Sequence, residues 1–234
     1  MLLGVLRSLP AQFRHIRLLS DQMLFMGVNS LPLITLTSIF IGAVSAWQAA
    51  YQMEGYVPLM YLGTGVSKAV FIELAPVLTA LVVAGRVGAS IAAELGTMRV
   101  TEQIDAMETL AIDPVSYLVT PRIISGMIML PVLVVYADVI AILGASAVAV
   151  FLLDMEPETF YNGMKMFFKI SDVLSGLVKA VAFGLLISIL GCFHGFRAEG
   201  GAQGVGFATT RAVVTSSVLI FVSDYIIATL LFQV

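Results

Sequence analysis

The feature that most constrains this chain is an apolar stretch of 32 residues, Gln22 to Met53, that contains no Asp, Glu, Lys or Arg. About 20 such residues suffice for a helix to cross the hydrocarbon of a bilayer. Of the 234 residues, 59% are hydrophobic and only 12% are charged, which is roughly half the charge of a soluble domain. The composition therefore predicts an integral membrane protein, and the net charge of −3 predicts no nucleic-acid partner.

Hydropathy predicts an all-α fold with five membrane spans in one domain that takes up residues 1–234. The spans are placed at 28–50, 69–93, 123–153, 173–193 and 212–232. Before them, residues 1–21 have apolar side chains at near-helical spacing and arginines on the other faces of the helical wheel. This pattern favours a helix lying in the membrane interface over a partly ordered tail. The glycine-rich run 195–210 is interpreted as a flexible connection.

The distribution of Lys and Arg predicts which side of the membrane each loop occupies. The N-terminal tail has three of these residues, and the segments 94–122 and 195–211 have two each, whereas the opposite side has three in all. Cytoplasmic flanks are enriched in positive charge. The N-terminus and the segment 94–122 are therefore expected in the cytoplasm, and the C-terminus in the periplasm.

A short charged helix is predicted at 97–111, directly after the second span. Its polar face carries Glu102 and Asp105, whereas helices on a lipid surface favour Lys and Arg, so a protein partner fits this helix better than lipid. The segment Glu94–Thr97 would join it to the span, with Gly96 permitting a sharp turn. The residues predicted to couple this helix to its partner are Glu94, Gly96, Met98, Arg99, Glu102, Gln103 and Asp105.

Glu73 lies inside the second span, where an ionisable side chain costs roughly 2.5–3.5 kcal/mol. It is expected to face protein or a water-filled cavity, and a hydrogen-bonded packing role is the alternative. Four further charges inside spans are expected to be structural: Arg86, Asp138, Lys179 and Asp224.

Partners for these charges are predicted only in part. Arg86 and Glu94 are eight residues apart, on nearly the same helix face, and are expected to pair with other charges of the chain. Asp224 can pair with Lys179 or with Arg211, and the sequence does not decide between them.

The chain carries no sign of catalysis. Its four lysines follow Ser67, Met164, Phe168 and Val178, so it lacks the Gly-Lys pair of a phosphate-binding loop. The two histidines are isolated, which predicts no metal site, and no catalytic residue or cofactor is assigned to the chain. It is therefore not expected to be an enzyme, and the energy for any transport must come from another subunit.

Residues 85–122, GRVGASIAAELGTMRVTEQIDAMETLAIDPVSYLVTPR, resemble the signature region of the MlaE-type (YrbE/Ttg2B) permeases of bacterial ABC transporters. Further similarity lies in FIGAVSAWQAAYQMEGY, ELAPVLTALVVAGR and ATTRAVVTSSVLIFVSDYIIATLLF, so the resemblance covers essentially the whole chain. The transporters of this family move phospholipids between the inner and outer membranes.

The resemblance implies a homodimer of permeases in the bacterial inner membrane, driven by separate ABC ATPase subunits that bind ATP and Mg²⁺. The coupling helix would lie in a groove of the ATPase. A periplasmic hexamer of MCE-domain lipid-binding proteins is implied as well, and a small STAS-domain cytoplasmic subunit is left open. The residues that the resemblance places near the lipid-binding cavity are Glu73, Leu74, Tyr56, Gln52 and Ser45.

Two alternatives remain at this point. An ion-coupled secondary transporter would use Glu73, Asp138 and Asp224 as a relay of carboxylates. A non-transporting assembly subunit would explain the charged helix but not a polar group in the second span. Transport that depends on an ATPase would distinguish an ABC permease from the ion-coupled transporter. Loss of lipid transfer when Glu73 is changed would distinguish it from the assembly subunit.

Overall fold

The computed structural model describes residues 16–231, which are helical apart from short turns and contain no strand. The α-helices are α1 (Ile16–Met26), α2 (Leu31–Met53), α3 (Leu62–Ala69), α4 (Ala75–Val83), α5 (Ala89–Val100), α6 (Gln103–Thr109), α7 (Thr120–Phe151), α8 (Pro157–Met166), α9 (Ile170–Phe196) and α10 (Gly201–Leu231). Of the predicted interfacial helix, residues 1–15 lie outside the described residues, and 16–21 belong to α1.

Five continuous helical segments are long and apolar enough to cross a membrane. They are Arg17–Met53, Leu59–Val100, Val115–Phe151, Ile170–Phe196 and Gly201–Leu231. The prediction of an all-α protein with five spans is therefore confirmed for the described residues.

The chain divides into two compact units. Of the described residues, the first unit comprises 16–30, 80–130 and 181–231, and the second comprises 31–79 and 131–180. Within the first unit, α5 packs on α10. Within the second, α3 packs on α2 and α8.

Glycines allow helix backbones to touch in both units. In the first unit, a Cβ added to Gly184 would lie 2.2 Å from the carbonyl oxygen of Gly126. In the second unit, a Cβ added to Gly42 would lie 1.8 Å from the carbonyl oxygen of Ala141. Small residues at helix contacts are typical of membrane proteins, because close van der Waals packing stabilises helices that lipid surrounds.

The substitution Gly42→Ala is therefore expected to destabilise the second unit. Its methyl group cannot fit against a backbone oxygen, so α2 and α7 must separate, at a cost of about 2 kcal/mol. Thermal unfolding in mild detergent measures the effect. Gly85→Ala is the matched control, because nothing lies within 4 Å of its added Cβ. Equal melting temperatures for the two variants would contradict this close contact.

Three π-helical turns interrupt the second and third spans: Val70–Leu74, Ala84–Gly88 and Val115–Val119. Pro76 stands two residues after the first turn, and Pro121 stands two residues after the third. A proline ring clashes with the carbonyl four residues before it, and in both cases that carbonyl lies inside the widened turn. The turns therefore accommodate the prolines without ending the helices.

The predicted coupling helix 97–111 is wrong in its bounds. Residues 94–97 are not a joint but part of α5, and the chain bends instead at Thr101 and Glu102 before the short helix α6. Glu102 adopts a left-handed backbone conformation, with φ of 59°. The helix continues to Val100 because Leu95 is fully buried, which holds this part of α5 in the core of the first unit.

Gly96 also has a different role from the predicted one. It is helical, and its added Cβ would lie 3.1 Å from the Cβ of Ala198 and 3.5 Å from the side chain of Val205. Its small size thus serves the packing of α5 on α10 and not a turn.

The predicted flexible connection at 195–210 is wrong as well, since α10 already begins at Gly201. Its glycines weaken a helix by roughly 1 kcal/mol each. Packing outweighs that cost, because Val205 contacts α5 and Ala208 is buried.

Candidate functional site

An ion pair joins the second and fourth spans inside the second unit. Lys179 Nζ on α9 lies 2.5 Å from Glu73 Oε1 in the first π-helical turn. The lysine side chain is fully buried, whereas the glutamate side chain is 43% exposed. Mutual compensation is what allows two charges to remain inside membrane spans. Glu73 thus faces protein, and its pairing with Lys179 was not predicted from the sequence.

A second ion pair of opposite polarity lies between the same two spans. Lys68 Nζ on α3 is 4.0 Å from Asp172 Oδ2 at the start of α9. Between the two pairs, Gly176 brings the backbones together, since its added Cβ would lie 2.3 Å from the carbonyl oxygen of Phe71. Two crossed charge pairs and a glycine contact therefore fix the register of α9 against the second span.

A mainly apolar cavity of about 380 Å³ lies beside the first π-helical turn. Its lining residues are Phe40, Ile41, Val44, Ser45, Gln48, Leu74 and Leu78. Ser45 and Leu74, both predicted to bind lipid, thus line one cavity, with Glu73 next to Leu74 in the chain. Gln52 is exposed, and Tyr56 is 90% exposed in the turn after α2. Neither of these two residues lines the cavity.

The predicted coupling residues lie around the bend between α5 and α6 in the first unit. Arg99 and Asp105 form an ion pair across the bend. Glu94 pairs with Arg122 at 2.8 Å, and Arg122 is 3% exposed and donates to the carbonyl of Leu118. The expectation that Glu94 pairs with another charge is confirmed, and the pair ties α5 to the beginning of α7.

An exposed surface surrounds this bend. Glu102 and Gln103 are exposed, Met98 is half-buried and Gly96 is buried. The segment that follows α6 also exposes three large apolar side chains: Leu110 at 71%, Ile112 at 43% and Tyr117 at 41%. No role was predicted for Ile112 and Tyr117 from the sequence, although an exposed apolar group beside acidic residues is typical of a protein contact.

Asp113 organises the return from this surface into the membrane. Its carboxylate accepts hydrogen bonds from the Ser116 hydroxyl and from the backbone N–H groups of Val115 and Ser116. The hydrogen bond from the Ser116 hydroxyl contributes most to lowering the pKa of Asp113 below its usual value, and the two backbone hydrogen bonds lower it further. The carboxylate therefore stays ionised and supplies acceptors where the third span begins.

Arg86 has no carboxylate within ion-pair distance among residues 16–231, so its expected pairing with a charge is wrong. Its Nη1 donates to Ser30 Oγ at 2.6 Å and to the carbonyl of Phe25 at 3.3 Å. The guanidinium also lies 5.5 Å from the centre of the Phe25 ring. Neutral acceptors and an aromatic face thus stabilise this charge, and Arg86 joins the second span to the first.

The remaining charges inside spans have less defined surroundings. Asp138 on α7 is 6% exposed, and its Oδ1 accepts no hydrogen bond within the described part of the chain. Asp224 is half-buried on α10. The structural role predicted for both remains a prediction.

Comparison with known proteins gives consistent matches along the chain. A family model described as Permease MlaE matches residues 19–230. A "Probable ABC transporter permease protein" of Rickettsia typhi is 46% identical over 220 residues, which cover 94% of this chain and 85% of the relative. The "Intermembrane phospholipid transport system permease protein MlaE" of Haemophilus influenzae is 35% identical over 233 residues, which cover 99% of this chain and 89% of the relative.

Proposed function

The chain belongs to the MlaE permease family, and we propose that it is the permease subunit of an ABC transporter that moves phospholipids between the inner and outer membranes. Membership confirms the resemblance carried by residues 85–122. The names of the Rickettsia and Haemophilus relatives support the ABC class and the phospholipid substrate. ATP and Mg²⁺ are bound by a separate ATPase subunit.

The observation that carries the proposal is the Glu73–Lys179 pair, whose glutamate directly precedes Leu74 in the wall of an apolar cavity. Lys179 is buried, so it holds the carboxylate in place, while the half-exposed Glu73 keeps acceptor capacity for a lipid headgroup. The cavity walls are mainly apolar and include the polar side chains of Ser45 and Gln48. A lipid needs this combination, because its acyl chains require apolar contacts and its headgroup requires a few polar ones.

The first unit supplies a route from ATPase movement to the membrane. α5 is one continuous helix from Ala89 to Val100, and α6 follows it after a single bend. The ATPase binds the acidic residues of α6 and the apolar side chains that follow it. Its movement then shifts α5 as a rigid body, and the Glu94–Arg122 pair transmits the shift to α7.

The assembly is a homodimer of this chain in the inner membrane, with two ATPase subunits in the cytoplasm. A hexamer of MCE-domain proteins receives or delivers lipid on the periplasmic side, and the resemblance leaves a small STAS-domain cytoplasmic subunit open. The Lys and Arg counts support a cytoplasmic N-terminus and a periplasmic C-terminus.

The ion-coupled alternative has less support. Family membership favours an ATP-driven permease over a secondary transporter.

Purification of the tagged chain from its native membrane in mild detergent, followed by native mass spectrometry, tests the assembly. We expect two copies of the chain with two ATPase subunits, a multimeric lipid-binding protein and bound phospholipid. A chain that emerges alone, under conditions that preserve other ABC complexes, would contradict the proposal.

A further inference from the structure

We propose that the hairpin between α9 and α10 carries a second phospholipid site, which binds the headgroup of a bilayer lipid and is separate from the transport cavity. The hairpin encloses a cavity of about 340 Å³ whose principal lining residues are Phe193, His194, Arg197, Glu199, Phe207 and Arg211. None of these residues lines the cavity beside Glu73.

Two arginines make this cavity suited to a phosphate. Arg197 and Arg211 have no carboxylate within ion-pair distance among residues 16–231, and their guanidinium groups donate no hydrogen bond within that range. The Arg197 guanidinium lies 4.2 Å from the centre of the Phe193 ring. Stacking on a ring face leaves the N–H groups at the edge of the guanidinium available, and their fork matches the oxygens of a phosphate.

Neighbouring contacts hold the cavity in shape. His194 Nε2 lies 3.0 Å from Thr215 Oγ1, which itself donates to the carbonyl of Arg211. The loop carbonyl of Glu199 lies so close to Gly204 that an added Cβ would approach it to 1.6 Å. The connection between the two helices is therefore fixed by its packing, and both arginines extend from well-defined elements.

The position of the cavity in the chain points to a lipid as its ligand. α9 ends at Phe196 and α10 begins at Gly201, and both helices are candidate membrane spans. The short connection between them therefore lies where hydrocarbon gives way to headgroups. Phe207 is 58% exposed and offers an apolar wall beside the arginines. Basic pockets at the ends of membrane helices are well suited to lipid headgroups.

The carboxylate of Glu199 favours lipid headgroups that carry a hydrogen-bond donor. Its carboxylate lines the same cavity and has no Lys, Arg or His partner within ion-pair distance among the described residues. A bare anion would be repelled by it, whereas a headgroup that joins a phosphate to a hydrogen-bond donor satisfies both the arginines and the carboxylate. Ethanolamine and glycerol headgroups provide such a donor, and choline does not.

Native mass spectrometry of the delipidated full complex, with short-chain lipids added back, tests the site. We expect dioctanoyl phosphatidylethanolamine to bind several-fold more tightly than dioctanoyl phosphatidylcholine, which has the same net charge. The double substitution Arg197→Gln/Arg211→Gln should weaken that binding at least tenfold at one site per chain. Lys165→Gln/Lys169→Gln is the matched control, because it removes two exposed cations elsewhere and should leave binding unchanged.

Further variants distinguish this site from the transport cavity, from a plain anion site and from a protein contact. Glu73→Ala should leave the arginine-dependent lipid in place, so this proposal and the proposed transport function can fail independently. If the Arg197→Gln/Arg211→Gln variant does not fold, Arg197→Lys/Arg211→Lys replaces it. This variant keeps both positive charges but lacks the forked guanidinium N–H groups, so it should still weaken lipid binding. Unchanged lipid binding in the folded variant, displacement of the lipid by inorganic phosphate, or loss of a protein subunit in place of lipid would each overturn the proposal.

Discussion

Replacing Glu73 with methionine is expected to abolish phospholipid transfer and to destabilise the permease by about 3 kcal/mol. The substitution leaves the fully buried Lys179 without the carboxylate that lies 2.5 Å from its ammonium group. Lys179→Met should cost less, because the half-exposed Glu73 that it leaves behind can be reached by water or headgroups. Thermal unfolding in detergent measures this order of stability, and transfer between liposomes measures the activity.

The double variant Glu73→Met/Lys179→Met separates folding from function. Two apolar side chains in place of a buried ion pair are often neutral or stabilising, so its melting temperature should return toward that of the unmodified protein. Transfer should remain absent, because the Glu73 carboxylate that is proposed to bind the headgroup is missing. Lys68→Met is the control, since its pair is 4.0 Å long and partly exposed and contributes less than about 1 kcal/mol. Normal transfer by the double variant would show that the pair serves only packing.

Charge reversal of Glu102 and Asp105 to lysine is expected to uncouple ATP hydrolysis from transport while the permease stays folded. Both side chains are exposed at the bend between α5 and α6, so their replacement removes acidic contacts from the proposed ATPase surface without disturbing the core. It also breaks the pair between Arg99 and Asp105. The measurement is the ATPase rate of the purified complex with and without phospholipid.

Two controls distinguish the surface charge from the shape of the bend. Glu102→Gly suits the left-handed backbone at φ of 59° and should stabilise the bend by about 1 kcal/mol, but it removes one acidic contact, so coupling should fall although the bend is preserved. The second control is the double variant Arg99→Asp/Asp105→Arg, which exchanges the two charges. It keeps an ion pair across the bend but moves the acidic group from position 105 to position 99. Normal coupling in the Glu102→Lys/Asp105→Lys variant would remove α6 from the mechanism.

The five spans were predictable from the sequence because long uncharged runs have few alternatives to membrane helices. Glu73 was predictable for the same reason, since a charge inside such a run must be compensated. Its partner Lys179 was not predictable, because the choice depends on how α9 packs against the second span. That packing rests on Gly176, whose close contact with Phe71 leaves no local pattern in the sequence.

Predictions from local residue preferences were wrong where the packing of helices against each other determines the secondary structure. Gly96 and the glycines after Gly200 suggested turns, yet both segments are helical because α5 and α10 pack closely. The π-helical turn before Pro76 was likewise missed, although the proline itself marks its place. The cavity with Arg197 and Arg211 arises only once α10 begins early enough to bring these residues together.

The most direct test of the proposed function is phospholipid transfer by the purified complex reconstituted in proteoliposomes. Labelled phospholipid should move between the vesicle membrane and the lipid-binding partner when ATP and Mg²⁺ are present. It should not move with a non-hydrolysable ATP analogue, and complexes that carry Glu73→Met/Lys179→Met should be inactive with ATP. Transfer that proceeds without ATP, or that follows an imposed ion gradient, would contradict an ATP-driven lipid permease and favour an ion-coupled carrier.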